Sequence, residues 1–345
     1  MAGVSVRKDN GLIGIDVGTK YIKFASLDKN EQGYSVVSTV VALNPLQGPG
    51  VKQEAVLCAR IRSVAKEMFP FDKKAAASIG GCQIIARNFD IASLGEDEME
   101  GAVQIEAKQS VSADLATMYT DFQVLSTLES GKKDILFVGV PTGIVDKQVH
   151  VIENSGLQIE LMDIDNFASA NCYCAFDKTS NDQTVVLLNI GHSYTNISVI
   201  DAGELRFVRN VNFGGANVCA EVAEVYNIAP ESAEELIKRP DLWNEMGLNI
   251  KNILRKRIPD LLEAVYRSME YCIGRKKIVN VDKILLTGGA SNIPGMEYFM
   301  SETLGLTVER WNPLDHVACG ANPKKELGPA LSVALGLAVR EWQKS

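Results

Sequence analysis

Two stretches in opposite halves of this 345-residue chain follow one plan. Residues 12–27 read L-I-G-I-D-V-G-T-K-Y-I-K-F-A-S-L: an apolar run, Asp16, a break at Gly18 and Thr19, then alternation. Residues 185–201 read V-V-L-L-N-I-G-H-S-Y-T-N-I-S-V-I-D, with Gly191 in the corresponding break. Period-two alternation on both sides of a polar, glycine-containing break predicts a β-hairpin. A third hairpin-like run, E-L-R-F-V-R-N-V at 204–211, follows directly. Halves that each open on such a hairpin predict an internal duplication, with a ligand gripped between the two turns.

The residue types in the first turn suit a phosphate and its metal ion. Gly18 lets the backbone approach a ligand closely, Thr19 supplies a hydroxyl, and Asp16 ends the first strand with a hard oxygen donor. Taken alone, D-x-G-T is equally a tight hairpin with a capping Asp, and the repetition is what favours a ligand. A third candidate is G-G-A-S-N at 288–292, where a strand at 281–287 runs into a helix at 294–304. Bare backbone there is a surface for a flat ring, close to helix N-terminal amides, or simply a strand-to-helix connection. Glu235 and Lys238, three apart on one helix face, reach a common ribose or form a solvated ion pair.

Composition narrows the class. With 46% hydrophobic and 23% charged residues the chain is an ordinary globular protein, long enough for two domains. A formal charge of −8, with no basic run longer than 275–277, argues against a nucleic-acid binder. No apolar stretch approaches the ~18 residues that span a bilayer. Asp16 interrupts the apolar segment after residues 1–10, which excludes a secretory leader, so the expected location is the cytoplasm. Seven cysteines without a C-x-x-C pair and three scattered histidines point to reduced thiols and away from zinc.

The remaining periodicity completes each half. Strand 34–42, loop 44–50, helix 54–69 and strand 75–81 make a βββαβ unit. Next come an extended run at 83–94, an amphipathic helix at 96–110, strands at 119–127 and 134–140 around Ser130-Gly131, and a helix at 143–154. A strand at 157–164 and a helix at 167–176 return to the first lobe. The second half predicts helices at 214–226, 230–239 and 249–272, the last kinked or divided by Pro259, and a small-residue helix at 329–342. The expected division is a first lobe of 1–82 with 156–180, an α/β insert at 83–155, and a second lobe of 181–345 with a helical subdomain at 227–279.

In order, D-x-G-T, a polar-Ile-Gly turn, E-x-x-K and a strand into G-G-A-S resemble the actin-like ATPase superfamily over essentially the whole chain. That resemblance implies an α/β fold of two duplicated lobes with ribonuclease H-like βββαβα cores. Several segments further resemble the PilM family of type IV pilus assembly. They are G-L-I-G-I-D-V-G-T-K-Y-I-K, residues 84–94 ahead of an acidic helix with I-E-A at 105–107, D-F-Q-V-L at 121–125, M-D-I-D-N-F-A at 162–168 and the Gly-Gly turn within 211–218. The insert falls where PilM and FtsA carry a distinctive subdomain in the first lobe.

The resemblance implies ATP and Mg2+ as ligands. It implies docking of the N-terminal cytoplasmic tail of a PilN-like inner-membrane protein, contact with other pilus-platform proteins, and peripheral association with the inner membrane; self-association stays open. Carried over residue by residue, it places Asp16, Gly18, Thr19 and Lys20 in the first phosphate motif. Gly191, His192, Ser193 and Thr195 fall in the second, with Gly214 and Gly215 opening the following helix. Asp165 would position water or Mg2+, Glu235 and Lys238 would touch ribose or adenine, and Gly288, Gly289, Ala290 and Ser291 the adenosine. Asp16 and Asn189 would hold the metal through water.

One departure matters: Asn189 stands where the superfamily usually has Asp. An amide lacks the charge that helps hold hydrated Mg2+, so ATP binding with slow or absent hydrolysis is expected. Two alternatives share the superfamily resemblance. An FtsA-like division protein should end in an amphipathic membrane helix beyond a linker; here only R-E-W-Q-K-S at 340–345 remains, which is expected to count against it. A small-molecule kinase needs a carboxylate base facing an acceptor hydroxyl, for which Asp163 or Asp165 has the right chemistry.

Overall fold

Both hairpins form as their alternation predicts, and each begins a sheet of the same strand order. The computed structural model describes residues 12–45, 53–69, 74–128, 130–275, 278–320 and 324–342. Residues 1–10, most of the loop at 44–50 and two residues of the basic run at 275–277 lie outside the described residues.

The first half runs β1 (Ile13–Val17), β2 (Tyr21–Asn30), β3 (Gly33–Leu43), α1 (Gln53–Met68), β4 (Lys74–Ile79) and β5 (Ile85–Ile91). It continues through α2 (Glu96–Ser110), β6 (Met118–Thr127), β7 (Lys133–Pro141), α3 (Thr142–Asn154), β8 (Gln158–Ile164) and α4 (Asp165–Phe176). The second half has β9 (Thr184–Ile190), β10 (Thr195–Asp201), β11 (Glu204–Val211), α5 (Gly215–Tyr226), α6 (Pro230–Ile237) and α7 (Trp243–Met246). After these come α8 (Ile250–Arg257), α9 (Pro259–Arg275), β12 (Lys283–Thr287), α10 (Met296–Leu304), β13 (Val308–Arg310), β14 (Ala318–Cys319) and α11 (Ser332–Val339).

The chain forms two compact units, residues 1–79, 147–176 and 312–345 in one and residues 80–146 and 177–311 in the other. In the first, the strand order is β14-β3-β2-β1-β4-β8, with β1, β2 and β3 an antiparallel meander and β4 and β8 parallel to β1. In the second, β11-β10-β9-β12-β13 repeats that order, again a meander followed by two parallel strands. This repetition is the duplication expected from the two turns.

Alternate residues of each central strand face opposite layers. In the first unit Ile13, Ile15, Ile22 and Phe24 pack under α1 and α3 with Leu57, Ile61, Val151 and Ile152. The other face carries Ala76 against Ala168, Val333 and Leu337 of α4 and α11. In the second unit Val186, Leu188 and Ile190 pack beneath α5, α8, α9 and α10, with Val218, Leu254, Leu261 and Met296 at the centre. A separate sheet, β5-β7-β6, buries Phe89, Ile135 and Phe137 against Val103 and Ala107 of α2.

These units divide the chain differently from the lobes drawn from sequence. Residues 312–345, expected in the second lobe, belong to the first unit, because α11 is buried on every side there. A helix without a polar face must be enclosed, and α11 is enclosed by β1 and α4. Residues 80–146 group with 177–311, where Asn88 donates to the backbone carbonyl of Arg206. Pro259 divides the predicted 249–272 helix into α8 and α9 and occupies the first position of α9, where its missing N–H costs nothing.

Candidate functional site

The first turn is built by β1 and β2. Gly18 N donates to Tyr21 O at 3.1 Å, closing the hairpin. Asn44, just past β3, holds the turn from outside: its Nδ2 donates to Gly18 O at 2.8 Å and its N–H to Lys20 O at 2.8 Å. A Cβ at Gly18 would sit 2.8 Å from Lys23 Nζ and 2.9 Å from Tyr21 O, so only glycine fits. Thr19 is exposed and Lys20 half-buried.

Asp16 does not stand alone. Lys23, its cross-strand partner in the register, places Nζ 2.7 Å from Asp16 Oδ2, with both side chains largely out of water. Sequence reading missed Lys23 and Asn44, although the hairpin's symmetry about residues 19 and 20 sets position 23 opposite 16. In the same unit Asp165 opens α4, buried, and its Oδ1 accepts from Ser78 Oγ at 2.6 Å.

In the second unit three predicted turns meet. The Gly191 turn closes through Gly191 N to Tyr194 O at 2.9 Å. The first amides of α5 then bind that turn: Gly215 N donates to Gly191 O at 2.9 Å and Ala216 N to His192 O at 2.8 Å. The approach is so close that a Cβ at Gly214 would lie 2.4 Å from His192 O. A Cβ on Gly215 would lie 3.1 Å from Ala290 Cβ of the 288–291 turn. Gly288, at φ +85 and ψ 161, adopts backbone angles essentially reserved to glycine, and a Cβ there would meet Asn189 Oδ1 at 2.5 Å. Five glycine or near-glycine positions scattered over a hundred residues of sequence therefore serve one junction of bare backbone.

Several predicted side chains are committed inside this junction. Thr195 is fully buried, and its hydroxyl donates to Phe213 O at 2.8 Å, tying β10 to the approach to α5. Ser291, also fully buried, closes its own turn by donating to Gly288 O at 2.7 Å. What faces outward is Ser193 and Gly289, with Gly191 and His192 half-buried. On α6 the exposed Glu235 borders a cavity of about 490 Å³ with Ile228, Leu236 and Leu242. Lys238, just past that helix, pairs with Glu234 at 2.9 Å and Glu235 at 3.1 Å, the solvated arrangement its spacing allows.

Among the described residues no three His, Cys, Asp or Glu side chains are grouped closely enough to hold a metal ion. Magnesium, where a protein binds it with a nucleotide, keeps several waters and takes one or two protein oxygens plus the phosphates. Of the residues the sequence suggested for the metal, Asp16 is paired with Lys23 and Asp165 accepts from Ser78 in the first unit, while Asn189 Oδ1 faces the Gly288 turn in the second.

A meander duplicated in the order 3-2-1-4-5, each copy opening on a glycine turn, defines the actin-like fold. The model of the type IV pilus assembly protein PilM family matches residues 14–342, and the chain belongs to that family. It is also similar to a chain of a PilM–PilN type IV pilus biogenesis complex, 22% identical, covering 96% of this chain and 98% of that one, with a TM-score of 0.82. Two further structures share the fold. The ethanolamine utilization protein EutJ of Carboxydothermus hydrogenoformans is 16% identical over 96% of this chain and 90% of its own, with a TM-score of 0.57. MreB5 of Spiroplasma citri bound to ADP is 10% identical over 98% of both chains, with a TM-score of 0.54.

Proposed function

We propose that this chain is an ATP-binding adaptor of the type IV pilus assembly platform that binds the N-terminal cytoplasmic tail of a PilN-like inner-membrane protein. The observation that supports the nucleotide reading is the junction of the 191–194, 214–215 and 288–291 turns, where three glycine-containing turns pack backbone against backbone and leave Ser193 and Gly289 exposed. Backbone amides and short hydroxyls hold phosphate without needing a counter-charge from the protein. In this reading Ser193 and His192 of the second unit, and Thr19 and Lys20 of the first unit's turn, contribute side chains to the phosphates, and Gly289 offers the ring a flat surface. Mg2+ supplies charge neutralisation on the phosphates, and Asp16, Asp165 and Asn189 are the oxygens that would orient its waters.

Hydrolysis is slow or absent in this reading, since Asn189 brings an amide where charge would tighten the metal shell. Among the described residues no helix is long and apolar enough to cross a membrane. A cytoplasmic protein held at the inner membrane by its partner is in keeping with that. The test is calorimetric titration of the full chain with Mg-ATP, and separately with a synthetic peptide copying the N-terminal cytoplasmic tail of the PilN-like protein from the same genome. Saturable binding of both is expected. ATP binding without peptide binding would remove the pilus-adaptor reading, and peptide binding without ATP would remove the nucleotide.

A further inference from the structure

Three asparagines stand side by side across the second-unit sheet. Asn189 of β9 is the cross-strand partner of Asn196 of β10, which is in turn the partner of Asn210 of β11. Their side chains form a continuous ladder. Asn189 Nδ2 donates to Asn196 Oδ1 at 2.8 Å, Asn196 Nδ2 donates to Asn210 Oδ1 at 2.9 Å, and Asn210 Nδ2 donates to the backbone carbonyl of Gly81 at 2.9 Å. Asn196 is fully buried and Asn189 nearly so.

The chemistry of the far end sets the direction of every amide. A carbonyl only accepts, so Asn210 must turn its NH2 toward Gly81 and its oxygen toward Asn196. Asn196 then must turn its oxygen toward Asn189. Asn189, donating to Asn196, is left with Oδ1 aimed at the Gly288 turn, 2.5 Å from where a Cβ of residue 288 would lie. Gly81 is where the segment leading into β5 begins, and it lies near the second turn: a Cβ at Gly81 would be 4.0 Å from Tyr194 Cε1.

We propose that Asn196 and Asn210 are positioning residues that aim the carbonyl oxygen of Asn189 at the hydrated Mg2+ of bound nucleotide, and that through them metal-dependent nucleotide binding depends on the backbone at Gly81. The proposal rests on the nucleotide-binding reading above. It also accounts for the amide at 189. A carboxylate there cannot donate to Asn196, so Asn196 and Asn210 would both have to turn over, and Asn210 Oδ1 would then face the Gly81 carbonyl, acceptor against acceptor.

The experiment compares ATP affinity with Mg2+ and with EDTA in the wild-type chain and in Asn210→Ala, whose site lies on the edge strand two residues across the sheet from Asn189. The expected result is a loss of about tenfold in the Mg2+-dependent gain in affinity, as for other residues that orient a metal's immediate partners, with affinity in EDTA unchanged. An unchanged Mg2+ gain in Asn210→Ala would overturn the proposal while leaving the nucleotide reading intact. A wild-type chain that binds no ATP would overturn both. A second readout needs no ligand: in protein carrying 15N asparagine, the shape-preserving Asn189→Asp should shift the side-chain amide signals of both Asn196 and Asn210. An unmoved Asn210 signal would contradict the ladder itself.

Discussion

Replacing Lys23 by methionine is the most informative perturbation of the first turn. Lys23 Nζ and Asp16 Oδ2 are 2.7 Å apart, with 16% and 8% of their side chains exposed. Gross Coulomb attraction at that separation is about 6 kcal/mol with an effective dielectric near 20, from which the desolvation of two charges must be subtracted. The net worth of the pair is therefore modest, but the cost of breaking it is not. Removing one partner strands a nearly buried carboxylate, which typically costs about 3–5 kcal/mol. Neutralising both, as in Asp16→Asn/Lys23→Met, leaves no orphaned charge and should cost about 1 kcal/mol. Urea denaturation followed by circular dichroism on wild type, both single variants and the double variant gives the coupling directly. The expected sign is a double variant more stable than Lys23→Met alone. Additive single effects, or a Lys23→Met chain within about 0.5 kcal/mol of wild type, would refute the argument that Asp16 depends on Lys23.

Two further perturbations follow from packing and charge. In Gly336→Ala the new Cβ would lie 1.7 Å from Ala168 O, so α11 and α4 must separate. The roughly 1 kcal/mol gained in helix propensity cannot offset that, and a net loss of about 3 kcal/mol in the thermal unfolding of the variant is expected. Glu221 is buried on α5 and receives Lys256 Nζ at 2.6 Å and Arg257 Nε at 2.5 Å. The hydrogen bond from Lys256, with those of Arg257, holds its carboxyl below the usual range against the opposing effect of desolvation. Its contribution is therefore complete above the unfolded-state value near 4.3 and disappears as pH falls through the lower folded value. Denaturation midpoints of wild type should fall more steeply than those of Glu221→Gln as pH drops below about 4.3; parallel curves would contradict this.

The features legible in the sequence were those written locally. The hairpins at 12–27 and 185–201 are visible because alternation and a glycine break lie within one window, and α2 is bounded at Glu96 and Ser110 by amphipathic spacing that opens on an acidic turn. Pro259 announced a division of the long helix for a purely covalent reason. The placement of α11 was not legible. Its eight residues are apolar on all sides, so periodicity gives no direction, and its neighbours Gly14 and Ala168 are far away in sequence. The asparagine ladder was hidden for a similar reason. Asn189 stands out in the sequence only as an amide in place of a carboxylate, and its connection to Asn196 and Asn210 exists only through strand register. Thr195 and Ser291 show the converse: they match a ligand-binding pattern, yet each hydroxyl is used to hold a turn together. A motif shows which residues gather at a site, while which of them face the ligand is decided by packing.

The central claim is that this member of the PilM family holds ATP without turning it over. Its most direct test is to incubate the purified chain with Mg-ATP, then identify the nucleotide that remains bound and follow phosphate release from the same sample. The account predicts intact ATP on the protein, with release far below the ~1–100 per second of kinases. Steady release in that range, or a chain that emerges without nucleotide, would contradict it.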